Sequence, residues 1–341
     1  MGNTRKRRWV LLGLTLALGL GVLISGYLGK YPIAFHQYLE AISGFFKGTT
    51  TPATMRIQTI LMNVRWPRII LAVLIGAGTS VAGATYQALF QNPMVSQDIL
   101  GASQGAAFGA ALGLFLQQSY EIVVSWSFVF GLLAVSVVLF LNRIIPGNRS
   151  RLNMILIGMI VSALFSSAVS FLKLIGDPTN TLPAITYWLM GSLSGIKMQD
   201  VYYATPLLIG GMLPIMLLRW RLNVVALGNE EALSLGINVT VLRSILIVCA
   251  TLVTATAVSV SGMIGWVGLV VPHFARLLLG NNYRYTMWAT ALGGGLFLLI
   301  VDDFARLLTT SEIPIGILTS VVGAPVFLIL IAQNNRPTGG Y

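Results

Sequence analysis

The sequence has few charged residues and very few side chains of the kinds that bind metals or form disulfides. Only 9% of its 341 residues are Asp, Glu, Lys or Arg, whereas a soluble domain carries about 25%. One cysteine (Cys249) and two histidines (His36 and His273) exclude a disulfide framework and a Cys/His zinc cluster. The sequence also lacks the GxxxxGK[ST] phosphate loop, so any ATP-driven step would need a separate polypeptide.

Long apolar runs dominate the sequence instead. Its mean hydropathy is +0.82, and stretches of about 20 apolar residues, the length that crosses a bilayer, recur from end to end. We therefore expect a single-domain, all-α polytopic membrane protein over residues 1–341. A shorter segment at 183–195 is expected to lie on the outer surface as an interfacial or re-entrant helix. The ten expected transmembrane helices lie at about 9–28, 66–90, 99–117, 122–142, 152–175, 199–218, 241–261, 263–280, 286–308 and 314–332.

The net charge of +11 follows the topology of a membrane protein, so we expect membrane lipid and no nucleic acid as a partner. Residues 5–8 are Arg-Lys-Arg-Arg, and the apolar run after them is too long for a signal peptide. We interpret this run as a first membrane helix with a cytoplasmic N-terminus, and an even number of spans returns the C-terminus to the cytoplasm. The outer side still holds eight basic residues, which need an explanation.

The first motif is Arg65-Trp66-Pro67-Arg68 at the outer start of the second span. Proline suits the first turn of a helix. The two arginines could be interfacial anchors that snorkel beside a tryptophan. Alternatively, they could form a docking point for an acidic partner, because the guanidinium group pairs bidentately with carboxylates.

The second motif is the polar segment 91–106 between two spans. Non-helical polar backbone at this depth is tolerated only where protein or a water-filled cavity surrounds it. It could be a plain cytoplasmic turn or a constriction that lines a pore. Asn92 precedes Pro93 and is biased away from the helical conformation, so its side chain is expected to be free to face a symmetry mate.

The third motif is a short amphipathic helix at 227–237 within the polar loop 219–240. Asn229 is expected to cap its start, and the two glutamates that follow suit the helix dipole. Gly236 is expected to end the helix in the left-handed conformation. The helix could be a solvated loop element or the surface that an intracellular partner grips.

A pair of acids, Asp302 and Asp303, lies near the outer end of the ninth span. Intramembrane carboxylates raise the question of proton coupling. Arg306 follows at helical spacing, however, so we favour a structural ion pair within the helix.

Each of these motifs is weak evidence by itself, but together and in this order they are specific for one protein family. The chain resembles the permease family of type II ABC importers, which take up iron–siderophores, haem, vitamin B12 and related metal chelates. The resemblance covers residues 60–332. The matching motifs are Arg65-x-Pro-Arg68, Gln87 followed by Asn92-Pro93, Ile99-Leu100-Gly101, Trp188-x-x-Gly191, the helix 227–237, Gly262-x-Ile-Gly-Trp-Val-Gly-Leu-Val-Val-Pro-His273, Asp303-x-x-Arg306, Glu312-Ile-Pro-Ile-Gly316 and Gly323-Ala-Pro325.

The resemblance implies ten helices per subunit and a homodimer in the inner membrane, with the pathway on its two-fold axis. Two separate ATPase subunits would bind ATP and Mg, and an extracytoplasmic binding protein would deliver the substrate. No catalytic residue, metal or cofactor is then expected in this chain.

The resemblance also assigns roles to residues. Arg65, Arg68 and Arg306 would receive glutamates of the binding protein, and Asn92, Pro93 and Met94 would form the cytoplasmic gate. One departure is Met94-Val95-Ser96-Gln97, where the family often has Leu-Ala-Asp/Glu-Pro. From its small, neutral residues, the fifth span is expected to line the pathway through Asn153, Ser162, Ser166 and Ser170. The helix that couples to the ATPase would comprise Leu227, Gly228, Asn229, Glu230, Glu231, Ala232, Leu235 and Gly236.

Two alternatives stay open. A proton- or sodium-coupled secondary transporter would need titratable groups in mid-span, and the acids of this sequence cluster in loops or at helix ends. The same importer scaffold could also carry an oxyanion such as molybdate, because the binding protein does most of the substrate selection.

Overall fold

The structure is a computed structural model that describes residues 2–47, 52–145 and 151–334, and these ranges form helices and no strand. The all-α expectation is therefore confirmed for the described residues. The helices are α1 (Gly2–Tyr27), α2 (Phe35–Lys47), α3 (Pro52–Ile60), α4 (Trp66–Phe90), α5 (Ala102–Phe115), α6 (Tyr120–Ile144), α7 (Arg151–Ile175), α8 (Thr181–Leu189), α9 (Met198–Leu227), α10 (Asn229–Ser234), α11 (Val239–Ser261), α12 (Val267–Leu279), α13 (Tyr283–Leu307) and α14 (Ile315–Asn334).

Each expected span overlaps a helix, but not every helix is long enough to cross a membrane. Among the described residues, seven helical stretches are long and apolar enough by length and composition, and α12 and the part of α14 at Ile315–Ile329 are shorter apolar stretches. The 13 residues of α12 span only about 20 Å at 1.5 Å per residue. The span expected at 263–280 starts late because Gly262 and Trp266 take positive φ values of 68° and 69°. Both interrupt the helical path between α11 and α12.

The second span is longer than expected. Helix α3 runs through a π-helical turn at Leu61–Arg65 directly into α4, giving a continuous stretch of 37 residues at Thr54–Phe90. The apolar pattern gave only 66–90 because Arg56, Gln58, Asn63 and Arg65 interrupt the apolar residues that precede it.

A short helix was expected within residues 183–195, and α8 confirms one. It covers Thr181–Leu189, and residues 190–195 are not helical. The residues after it pack on the break between α11 and α12, where the Ser192 amide donates to the Ser261 carbonyl at 2.7 Å. A side chain at Gly262 would collide with the carbonyl oxygen of Trp188. Glycine is required there by close approach as well as by its φ.

Helix α4 lies at the centre of the bundle and packs against α9, α11, α12 and α13. Every residue from 75 to 90 is buried. The closest approach is to α13, where a Cβ atom at Gly76 would meet the carbonyl oxygen of Gly294, and the reverse also holds. Small residues of this kind let helix backbones touch, which drives helix association in a membrane.

The bundle has two ends that are distinguished by their polar contacts. The end that carries Arg65, Arg68 and Arg306 is called the arginine end below. The opposite end carries α10 and the loop between α4 and α5 (residues 91–101, called the α4–α5 loop), and is called the α10 end. Helix α1 joins the two ends, because Arg7 near its start lies over the Tyr285 ring at 5.0 Å.

The contact between α4 and α13 gives the first prediction. Gly76→Ala and Gly294→Ala should each destabilise the purified protein by about 1–3 kcal/mol, the usual effect of overpacking. The measurement is the thermal unfolding temperature in detergent.

The matched control is Gly210→Ala in α9, where a new Cβ meets no atom within 4 Å. It should keep or raise the unfolding temperature, since alanine favours helix over glycine. Equal unfolding temperatures for all three variants would contradict the close approach of α4 and α13.

Candidate functional site

Arg68 at the start of α4 forms a buried ion-pair network at the arginine end. Its Nε lies 2.9 Å from the carboxylate of Asp302 in α13, and its Nη1 lies 2.8 Å from Oε2 of Glu312. The Asp302 side chain is fully buried. A buried carboxylate must be paired with a charge or hydrogen-bond donors, so this pair ties α4 to α13.

Arg306 and Arg65 hold the C-terminal end of α1. Arg306 donates to the carbonyl of Ser25 at 2.8 Å and to that of Leu28 at 3.1 Å, and it pairs with Asp303. Arg65 donates to the carbonyls of Gly26, Tyr27 and Tyr31 at 2.6–2.7 Å. The last carbonyls of a helix lack partners within it, and these two arginines supply donors.

This geometry corrects part of the sequence interpretation. Asp303 and Arg306 do form the expected ion pair within the helix, but Asp302 pairs with Arg68 of another helix. The arginines at this end are buried, and three carboxylates lie among their partners. Internal ion pairs and hydrogen bonds therefore account for the burial of these three arginines. Docking of a binding protein by Arg65, Arg68 and Arg306 stays a prediction that no contact here tests.

At the α10 end, the α4–α5 loop brings Asn92, Pro93 and Met94 to the surface, where all three are exposed. The expectation of a free Asn92 side chain is wrong, because its Oδ1 accepts a hydrogen bond from the Met94 amide at 2.9 Å. The side chain of Asn92 thus closes a turn with the backbone two residues ahead, as Asn side chains commonly do. Met94 has half of its surface exposed and is the apolar tip of the loop.

Two glutamines and an arginine, to which the sequence analysis gave no role, anchor this loop. Gln87 in α4 donates to the Val95 carbonyl at 3.1 Å and accepts from Nη1 of Arg276 in α12 at 2.7 Å. Gln97 is buried and lies with its Nε2 3.5 Å from the Ile264 carbonyl before α12. In the sequence, Gln97 stood out only because the family often has proline at its position.

Near its end, the loop carries the half-buried carboxyl group of Asp98. Burial raises the pKa of Asp98, and a hydrogen bond from the Ser103 hydroxyl opposes this rise. The bond joins the end of the loop to the first turn of α5.

Helix α10 confirms the expected short helix, with one change at its start. The helix begins at Asn229, so the preceding position falls on Gly228 and Asn229 is not the cap. Gly236 ends the helix in the left-handed conformation with φ of 73°, as expected, and its amide donates to the Leu233 carbonyl at 2.9 Å. The side chains of Leu227, Asn229, Glu230 and Glu231 lie outside the described part of the structure.

One face of α10 packs inward and the other is exposed. Ala232 is buried in a small apolar cluster with Val224 of α9 and Val239 of α11. Leu233 and Leu235 each expose 62% of their surface. Beside α10 a pocket of about 670 Å³ is lined by Leu233 together with side chains that include Arg143 and Arg243. An exposed apolar pair beside basic side chains can receive a partner with apolar and acidic groups.

The residues expected to line a pathway all lie on α7. Ser166 and Ser170 are exposed, and Asn153 and Ser162 are half-buried. The Ser170 hydroxyl donates to the Ser166 carbonyl at 3.0 Å, which satisfies it within the helix. Among the described residues, no group of three or more His, Cys, Asp or Glu side chains could hold a metal ion.

The fold and the two polar ends define a helical multi-pass membrane protein. Residues 16–333 match the FecCD transport family, and the chain belongs to this family. It is the membrane-spanning permease subunit of an ABC importer and not itself a catalytic enzyme.

Known relatives cover nearly all of the chain. It is 37% identical to the molybdate import system permease protein MolB of Haemophilus influenzae over 96% of both chains. It is 42% identical to a probable iron chelatin transport system permease protein of Helicobacter pylori over 81% of this chain and 83% of that one. The solved structure of a metal-chelate type ABC transporter in an inward-facing conformation is 35% identical, with a TM-score of 0.86 over 96% of this chain and 99% of that one.

The buried network at the arginine end gives the second prediction. Arg68→Gln should destabilise the protein by about 3–5 kcal/mol, because it leaves the buried carboxylate of Asp302 without its partner. Asp302→Asn should destabilise it less, because Arg68 keeps its ion pair with Glu312. The measurement is thermal unfolding in detergent, with the exposed Glu40→Gln as the control.

The double variant Arg68→Gln with Asp302→Asn removes both charges and should lose less stability than the two single changes summed. Additive losses, or a single variant as stable as Glu40→Gln, would contradict the pairing.

Proposed function

We propose that this chain forms, as a homodimer of ten-span subunits, the translocation pathway for a metal chelate of the iron–siderophore, haem or cobalamin type. Two separate ABC ATPases would bind ATP and Mg and dock on α10, and an extracytoplasmic binding protein would dock at the arginine end. Both termini and the α10 end would then face the cytoplasm. The observation that carries the proposal is α10 itself, a short helix that ends at a left-handed glycine and presents two exposed leucines.

Two substrate classes remain in the proposal. The Helicobacter pylori relative is named for an iron chelatin and the structural neighbour for a metal chelate, which supports a chelate. The Haemophilus influenzae relative is named for molybdate and matches a larger share of the chain, which supports an oxyanion as the second candidate. The exposed serines Ser166 and Ser170 of α7 are neutral and suit passage of either without tight binding.

The contacts of the acidic residues argue against an ion-coupled secondary transporter. Such a transporter needs a titratable group in mid-span that can bind and release an ion. Among the described residues, the fully buried carboxylate of Asp302 is bonded to Arg68 and lies near the end of α13. It is therefore committed to a structural pair.

Uptake into proteoliposomes tests the proposal. The chain is reconstituted with its ATPase and binding protein, and uptake of ferric siderophore, haem, cobalamin and molybdate is measured with and without ATP. We expect ATP-dependent uptake of a chelate that requires all three components. Uptake driven by a proton or sodium gradient without ATPase would overturn the proposal, and uptake of molybdate alone would replace the chelate with the oxyanion.

The left-handed end of α10 gives the third prediction. Gly236→Val should raise the ATP hydrolysed per substrate transported, because a β-branched residue at this φ costs roughly 1–2 kcal/mol and distorts the end of the helix. Both activities are measured in the same proteoliposomes.

The matched variant is Gly236→Asn, since Asn tolerates the left-handed conformation, and it should stay near the wild-type ratio. A new Cβ at this position meets no atom within 4 Å, so crowding cannot explain a difference. A normal ratio in Gly236→Val would contradict the coupling role of α10.

The fourth prediction concerns the gate of the proposed dimer. In a Cys249→Ser background, Met94→Cys should cross-link between the two copies, because the exposed tip of the α4–α5 loop would face the two-fold axis. The yield should change with nucleotide. An intact dimer that does not cross-link in any state would show that Asn92, Pro93 and Met94 do not form a gate.

The fifth prediction separates docking from packing at the arginine end. Arg65 is buried and donates to backbone carbonyls, so no carboxylate among the described residues neutralises the charge that it would direct at acids of the proposed binding protein. Arg65→Gln should weaken binding of that protein by about tenfold or less, the effect of one partly screened charge-assisted bond. Unchanged affinity with a lower unfolding temperature would assign Arg65 to packing alone.

A further inference from the structure

The α4–α5 loop is bonded directly to the end of α9, next to α10. Nε2 of Gln91 lies 3.1 Å from the carbonyl oxygen of Val225 and 3.1 Å from that of Ala226. Both carbonyls belong to the last turn of α9, where helical partners are missing. Only Leu227 and Gly228 separate Ala226 from Asn229, the first residue of α10.

Gln91 reaches α9 from an unusual backbone conformation. It follows the last residue of α4 with φ of 51° and ψ of 37°, in the left-handed region, which non-glycine residues seldom occupy. The backbone N–H of Gln91 donates to the Ala88 carbonyl, and the backbone N–H of Asn92 donates to the Gln87 carbonyl at 3.1 Å. The backbone of Gln91 thus joins the end of α4 to the α4–α5 loop, while its side chain bonds to α9.

On the other side of this link, α10 and the end of α9 pack as one unit. Val224, one residue before the first bonded carbonyl, lies in the buried cluster with Ala232 of α10 and Val239 of α11. A displacement of α10 therefore acts on the turn of α9 that Gln91 holds. Packed side chains and hydrogen bonds of this kind form a contiguous physical path between two sites.

The same end of α9 is also bonded to α13. Asn223 accepts from the Tyr283 amide at 2.8 Å, and Arg219 donates to the Arg284 carbonyl at 3.2 Å. These bonds keep α9 beside the start of α13, and Gln91 connects it to the α4–α5 loop. The two sets of contacts lead to different parts of the molecule.

We propose that Gln91 is a positioning residue that transmits displacement of α10 to the α4–α5 loop. The inference rests on the proposed function, in which an ATPase moves α10 and this loop gates the pathway. Gln91 contacts neither substrate nor nucleotide in this scheme. Its two hydrogen bonds make the loop follow the end of α9.

The test variant is Gln91→Asn. Asparagine tolerates the left-handed conformation, so the backbone turn is kept, but its side chain is one methylene shorter and loses the α9 carbonyls. The matched control is Gln117→Asn, since Gln117 is also an exposed glutamine at positive φ (52°), after α5. A second variant, Gln91→Met, keeps the length of the side chain and removes the donor.

The readout is the ATP hydrolysed per substrate taken up, measured in proteoliposomes that contain the ATPase and the binding protein. We expect this ratio to rise by about threefold or more in both Gln91 variants, with subunit assembly and basal hydrolysis unchanged. Gln117→Asn should match the wild type. A wild-type ratio in both folded Gln91 variants would overturn the proposal, because a mere cap of α9 would change stability without changing coupling.

A second readout does not depend on transport. In the Met94→Cys, Cys249→Ser background, Gln91→Asn should abolish the nucleotide-dependent change in cross-linking yield, while Gln117→Asn should keep it. A preserved change in Gln91→Asn would overturn the relay. If the wild-type chain shows no ATP-dependent uptake at all, the proposed function fails instead, which separates the two failures.

Discussion

Helix α4 is enclosed by α9, α11, α12 and α13, and this enclosure depends on backbones that touch. The contact between Gly76 and Gly294 leaves no room for a Cβ atom on either helix. Because α4 runs through the centre of the bundle, one of its ends lies at each polar end. Arg68 at one end builds the arginine network, and the α4–α5 loop leaves from the other.

A second constraint is that polar groups inside an apolar bundle must find partners within the protein. At the arginine end, the charges of Arg68 and Arg306 meet carboxylates, and Arg65 meets the carbonyls that end α1. At the α10 end, the side-chain amides of Gln87 and Gln91 donate hydrogen bonds to backbone carbonyls. The difference suits the functions proposed for the two ends. Buried ion pairs hold the arginine end together, and the two hydrogen bonds of Gln91 keep the α4–α5 loop with the end of α9 when the α10 end moves.

Local signals in the sequence were sufficient for much of this structure. Apolar runs predicted the long helices, although not α2 and α3, and Gly236 predicted the left-handed end of α10, because both signals depend on neighbouring residues alone. The partner of Asp302 was missed, since it lies 234 residues away along the chain and Arg306 offered a nearer one. Gln91 was missed for the same reason: its partners on α9 follow 134 residues later, and no periodicity marks such a contact.

Pulsed electron–electron double resonance tests most directly whether α10 and the α4–α5 loop move together. Spin labels replace the exposed Leu233 on α10 and the exposed Met94 on the loop, with both labels in one subunit of the assembled transporter. The account predicts that this distance stays constant when ATP binds, while the distance between Met94 labels on the two subunits changes. A change within the subunit as large as the change between subunits would contradict the account.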